Sequence, residues 1–210
     1  MDDYFKKEDF TLFQVDGLED RMQLIRDRIQ PVFQTIGDTF IEKVNKKTDF
    51  EGAFHIAQHR RRTTNPPEST WSAFGGNKRG YKKYPHIQVG INQDYVFMFL
   101  SLIDNPKHEK AMGTYLIENS SVFNHLSEDY YISKDHTKPD IDKATKENID
   151  LTLDRLISVK KGEFLIGRIL KPQNKEIGDL KCQKFFFEKT LDDLLPIYSR
   201  LLQVHFKNEE

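Results

Sequence analysis

Residues 86–100 read HIQVGINQDYVFMFL, and this stretch decides the fold. Ile87, Val89 and Ile91 alternate with His86, Gln88 and Gly90, the two-residue period of a strand with one apolar face. Asn92-Gln93-Asp94 breaks the run with turn-forming residues, and Tyr95 to Leu100 follows, apolar at every position. A hairpin is predicted whose second strand is apolar on both faces and therefore central in its sheet.

Outward from this hairpin, Phe54 and Ile56 alternate with His55 and Ala57, and Thr70 to Phe74 makes a short strand between polar loops. Tyr130 to Ile132 and Glu163 to Leu170 read as further strands, and Asp135 to Lys146 as charged loop. Helical spacing appears in Leu18, Met22, Ile25 and Ile29 behind Asp16 as a cap, and resumes after Pro31 in Phe33, Ile36, Phe40 and Val44. That gives two helices, or one bent, ending in Asn45 to Asp49. Asn105-Pro106 supplies a cap and first-turn proline for Met112, Leu116 and Ile117, and Ile149, Leu153, Leu156 and Ile157 form a face ending near Gly162 as C-cap. Phe187, Leu191, Leu194, Tyr198, Leu201 and His205 trace a closing helix that Pro196 kinks or restarts. The expected fold is α+β, a two-layer sandwich with a largely antiparallel sheet and helices packed mainly on one face. No linker licenses a cut, so residues 1–210 are read as one domain.

Composition narrows the class. Apolar residues make up 37% and mean hydropathy is -0.67, but 16 Phe supply core material, which excludes wholesale disorder. The longest apolar run, Tyr95 to Leu100, is far below the ~20 residues of a membrane span. The acidic opening Met1-Asp2-Asp3 is unlike a signal peptide, so no membrane partner and a cytoplasmic location are expected. Cys182 has no partner for an internal disulfide and is read as a packed thiol, although Lys181 and Lys184 beside it would lower its pKa.

Thirty-two basic residues face 33 acidic ones, which removes any whole-chain polycation argument and moves attention to distribution. From Ala53 to His86 seven basic residues (Arg60, Arg61, Arg62, Lys78, Arg79, Lys82, Lys83) stand against Glu68 alone, leaving 25 basic and 32 acidic residues elsewhere. Trp71, Phe74, Tyr81 and Tyr84 are interleaved with them. Guanidinium forks suit phosphate and aromatic rings stack on bases, so a nucleotide or a nucleic acid strand is the expected partner. The competing reading is a solvated charged face over core aromatics. In a simple meander the arginine loop and the lysine-rich loop leave opposite ends of the sheet, and one groove forms only if the long Arg60 to Ser69 loop folds back.

His55, His59 and His86 could form a three-histidine metal set, but no carboxylate nearby supports them, and none of them is assigned to a metal. Arg168 stands out in an apolar strand, where it needs either a carboxylate or a ligand. No phosphate-binding loop, dinucleotide fingerprint, nucleophile elbow or calcium loop occurs; Gly75-Gly76-Asn77-Lys78-Arg79-Gly80 is only a weak phosphate signal.

Asn65-Pro66-Pro67, Thr70-Trp71, Ala73-Phe74, Asn77-Lys78-Arg79-Gly80-Tyr81-Lys82, Pro85-His86 and Gln88-Val89-Gly90 together resemble the signature of the YktB-like proteins of Gram-positive bacteria. Val159-Lys160-Lys161-Gly162-Glu163-Phe164 and Leu195-Pro196-Ile197-Tyr198 extend the resemblance over essentially the whole chain. It implies a two-layer α+β domain similar in topology to the catalytic domains of biotin-protein ligases and class II synthetases, and brings no catalytic residues with it. The ligase-type Gly-Arg-Gly motif is not matched.

The leading expectation is a binding module for a phosphate-bearing ligand. Arg60, Arg61, Arg62, Lys78 and Arg79 would hold phosphate, Trp71 and Tyr81 would stack, and His86 and Arg168 complete the expected site. The alternatives are a nucleotide-dependent transferase or ligase-like enzyme using the same groove with Mg²⁺, and a protein-interaction domain docking through Asp135 to Lys146 or the basic loops.

Overall fold

Among residues 4–209, which a computed structural model describes, seven strands pair into one antiparallel sheet. They are β1 (Phe54–Ile56), β2 (Ser69–Phe74), β3 (His86–Asn92), β4 (Val96–Leu102), β5 (Tyr131–Ser133), β6 (Asp142–Lys143) and β7 (Phe164–Leu170), in the order β1-β2-β3-β4-β7-β5-β6. β4 holds the middle place, as a strand apolar on both faces should, and Val89 pairs with Met98 in the hairpin with β3. The acidic opening Met1-Asp2-Asp3 lies outside the described residues.

Six α-helices accompany the sheet among the described residues: α1 (Lys7–Thr11), α2 (Leu18–Leu24), α3 (Gln30–Thr48), α4 (Glu109–Glu118), α5 (Lys146–Ser158) and α6 (Leu180–Lys207). One apolar cluster joins Ile36 and Phe40 of α3, Leu116 of α4, Leu153 of α5 and Leu194 of α6 to Ile87, Val89, Met98, Leu100, Phe164 and Ile166 of the sheet. The helices therefore cover one face, and an α+β sandwich results. A second, smaller cluster of Tyr95, Phe97, Phe99, Ile103 and Leu165 occupies the other face, packed against Trp71 and Ile169 of the sheet and Ile141 of a loop.

Several boundaries differ from the sequence reading, each for a local reason. α2 and α3 run on through a π-helical turn at Ile25–Ile29. The widened turn relieves the clash Pro31 would make with the carbonyl four residues back, so the helix continues rather than breaking. Gly17, with φ 87°, precedes α2 in place of an Asp16 cap. Asp104, Asn105 and His108 all take positive φ, which delays α4 to Glu109. Val159, not Gly162, follows the last residue of α5. Pro196 sits inside an unbroken α6, and the charged stretch after Asp135 contains the short β6. Cys182 is exposed, and its hydrogen bond to Asp179 raises its pKa instead of lowering it. None of the described helices is long and apolar enough to cross a membrane.

Candidate functional site

The face turned away from the helices carries Trp71 of β2, Gln88 of β3, Phe97 and Phe99 of β4 and Leu165 of β7. Phe97 lies over Gly90, where a β-carbon would come within 2.3 Å of its Cζ, and Phe99 lies over Gly167, where one would be 2.5 Å from its Cδ1. Because both glycines lack that carbon, the rings recline on the sheet and stack with centroids 5.0 Å apart and planes at 24°. They form a flat aromatic floor.

Two walls rise from it. Residues 134–141 cross the face as a strap, held where Tyr95 Oη donates to the Pro139 carbonyl at 2.7 Å and Ser133 Oγ to the Asp140 carbonyl at 3.3 Å. Opposite, Trp71 Nε1 donates to Tyr81 Oη at 2.7 Å. Between them opens a cleft of about 290 Å³ whose lining includes Trp71, Gln88, Phe97, Phe99, His136 and Lys138. Arg21 lines it too, 7% exposed, its donors given to the Val15 and Pro67 carbonyls, with the charges of Asp16 and Glu68 partly offsetting the cost of its burial.

Gln88 is 2% exposed. Its Oε1 accepts from Ser101 Oγ at 3.2 Å, while Nε2 is buried without a partner. Such a donor costs about 1–3 kcal/mol when left unmade. Glu163, at the head of β7, accepts from the Asp104 amide at 3.0 Å, the His136 amide at 2.8 Å and His136 Nδ1 at 2.8 Å. Asp135, His136 and Glu163 place one potential metal-ligand atom each within 4.8 Å of one another. Asp135 is already engaged with the Thr137 amide and hydroxyl, and His136 Nδ1 with Glu163, so these ligand atoms are taken up by hydrogen bonds.

The structure brings together Trp71, Tyr81 and His86 from the expected site: Tyr81 meets His86 edge-on at 4.7 Å and hydrogen-bonds Trp71. His55 also touches Tyr81, at 5.3 Å, but His59 sits beside Trp71 instead, hydrogen-bonded to Thr70, so the three histidines do not form one cluster. Arg60, Arg61 and Arg62 are exposed on the β1–β2 loop, and Lys78 and Arg79 on the β2–β3 loop at the other end of β2. Among the described residues no hydrogen bond or ion pair joins the two loops; Arg62 instead donates to the Asn65 and Pro66 carbonyls of its own loop. Arg168 lies on the helix-covered face. Its Nε donates to Asp129 at 2.7 Å and its guanidinium rests 4.9 Å from the Phe186 ring, so it answers to a carboxylate partner there.

Gln88, His136 and Glu163 escaped the sequence reading. A carboxylate opening an apolar strand was the visible signal for Glu163, whereas His136 was hidden within a charged loop.

A family profile described as "Domain of unknown function (DUF1054)" matches residues 5–198. The chain is similar to a UPF0637 protein of Enterococcus faecalis, 46% identical over 194 residues, covering 92% of this chain and 96% of the relative. It is also similar to UPF0637 proteins of Lactococcus lactis subsp. cremoris (45% identical over 204 residues, covering 95% and 100%) and Staphylococcus aureus (37% over 198, covering 93% and 97%).

Proposed function

The chain belongs to the DUF1054 family, and since that family carries no assigned function we propose one from the geometry: the protein binds a nucleotide in the open-face cleft. The observation that carries this reading is the Gln88 amide, buried in the cleft with a donor that has no partner. A ligand acceptor at that point recovers the cost of an unmade hydrogen bond. The stacked Phe97 and Phe99 floor favours a planar ring over a branched or flexible group.

Topology favours one end of the sheet for the phosphate. Glu68, Ser69 and Asn92 to Asp94 line the cleft at the end of the sheet from which the Arg60 to Arg62 loop also emerges. A base on Phe97 would direct its phosphate toward those arginines, with Lys138 on the rim. Lys78 and Arg79 lie a whole strand away, beyond the span of a mononucleotide, so only a nucleic acid strand laid along the face would use both loops.

Thermal unfolding in the presence of AMP, GMP, CMP and UMP and of a short oligonucleotide tests the reading. At least one mononucleotide should raise the melting temperature in a concentration-dependent way, because only the folded state binds it. Gln88→Leu should abolish the shift while leaving the free protein folded. No shift with any mononucleotide at millimolar concentration, or an undiminished shift in Gln88→Leu, rejects the proposal. A shift confined to the oligonucleotide, steeply weakened by salt, would replace it with strand binding.

A further inference from the structure

Glu163 is 8% exposed, and every contact its carboxylate makes is with a hydrogen-bond donor. Burial pushes its pKa up, but hydrogen bonds from the His136 ring and amide bring it below the ordinary carboxylate value, so the ionised acceptor form is favoured. Facing that acceptor at 2.8 and 2.9 Å is His136 Nδ1, which must therefore carry the hydrogen. In the neutral ring Nε2 is then a bare acceptor. Among the described residues it has no partner, and its ring lines the same cleft as Gln88, edge-on to Trp71 at 5.9 Å.

Resting on the nucleotide reading above, we propose that Gln88 and His136 read the edge of the bound base as a complementary pair: Gln88 Nε2 donates to a ring acceptor and His136 Nε2 accepts from a neighbouring N–H. The ligand class is a heteroaromatic that carries both an acceptor and an N–H on its edge. The N–H and carbonyl of uracil or guanine, or the amino group and ring nitrogen of adenine or cytosine, meet that requirement. Glu163 is a positioning residue. It acts through His136, fixing which ring nitrogen carries the hydrogen, and also ties the strap to the start of β7.

The Glu163→Gln exchange separates these two duties. A carboxamide has a single acceptor oxygen for the two backbone amides, so its NH₂ turns to His136 Nδ1. The hydrogen then moves to Nε2, which becomes a donor. Tautomer control and tethering thus predict different outcomes. A loosened strap weakens all ligands alike, whereas an inverted Nε2 changes which edge is accepted.

The test is calorimetric titration at pH 8.5 with UMP and 3-methyl-UMP, and with AMP and N6,N6-dimethyl-AMP. The parent nucleotide should bind at least roughly tenfold more tightly than its methylated form, because a site built to take an N–H is left unpaired without it. In Glu163→Gln that ratio should fall within about threefold; a steric clash with the methyl group alone would leave it unchanged. If Glu163→Gln does not fold, His136→Leu serves instead and should bring the ratio close to unity. Equal binding of parent and methylated forms by the wild type overturns the edge reading while the nucleotide proposal stands. A ratio that survives both substitutions also overturns it. Binding of none of the four, with no thermal shift from GMP or CMP either, removes both proposals together.

Discussion

His86 offers a direct test of how the face turned away from the helices is packed. It is 0% exposed, its Nδ1 hydrogen goes to the Tyr84 carbonyl at 2.9 Å, and Nε2 has no partner. Burial lowers its pKa from 6.5 to about 4; the charges of His136, Lys82 and His55 act in the same direction, and the bond to Tyr84 opposes them. The unfolded chain therefore takes up a proton at pH 6.5, where the folded one does not. The stability His86 contributes is complete above pH 6.5 and is lost as pH falls toward 4. Each pH unit in that window is worth about 1.4 kcal/mol, so the loss reaches about 2 kcal/mol by pH 5 and about 3 kcal/mol by pH 4. Urea unfolding of the wild type and His86→Phe at half-unit steps from pH 7.5 to 5 isolates this share, because His59, also lowered to about 4, titrates in both proteins. Phe leaves the Tyr84 carbonyl without its donor, a penalty that does not vary with pH. The difference between the two proteins should shrink by about 2 kcal/mol across the range. A difference that stays flat would mean that His86 protonates in place, and the account of this face as a dry layer beneath Tyr81 would be wrong.

Three further substitutions probe the same architecture. Gly167→Ala would set a β-carbon 1.9 Å from the Met98 carbonyl in the central strand pair, an overpacking of about 3 kcal/mol that should lower the melting temperature by roughly 6–12 °C; a fall under about 3 °C would contradict the packing. Tyr95→Phe removes the hydrogen bond to Pro139 and should speed amide exchange in residues 136–140 about fivefold, with unchanged exchange showing that the strap is held elsewhere. Arg168→Met gives up the Asp129 pair and should cost about 1–2 kcal/mol of stability while leaving nucleotide titrations unaltered; lost binding would place Arg168 in the site after all.

The strands were legible because burial writes them directly: alternation in His86 to Ile91 and unbroken apolarity in Tyr95 to Leu100 fixed the hairpin and the centre of the sheet. Helix starts were less so, since a cap is decided by backbone torsion as much as by side-chain type. Gly17 and His108 took positions that Asp16 and Asn105 were better equipped to fill. Charge was legible as a count but not as a place, because the sign of a loop says nothing about which end of a strand it leaves. Alternation itself concealed part of the site: it marks His86, Gln88 and Gly90 as the less apolar side of β3, yet every residue of that strand is buried.

That discrepancy follows from the one-sided helical layer. A sheet with helices on a single face must keep Phe97 and Phe99 of its central strand from water by other means, and here loops do it. Tyr81 reaches in over His55 and His86 from one side, and the strap crosses to Tyr95 from the other. Neither cover extends over the whole face, and the gap between them is the cleft. Each cover is pinned by a hydrogen bond to a tyrosine hydroxyl, Trp71 to Tyr81 on one side and Tyr95 to Pro139 on the other, while Gln88 sits on β3 and Glu163 just before β7 beneath. A ligand that enters by displacing the strap would still meet the Gln88 donor in place, but would find the His136 acceptor only after the strap has closed again onto Glu163. On the proposed edge reading, Tyr95→Phe loosens the strap and should weaken parent and methylated nucleotides alike, whereas Glu163→Gln should lower the ratio between them.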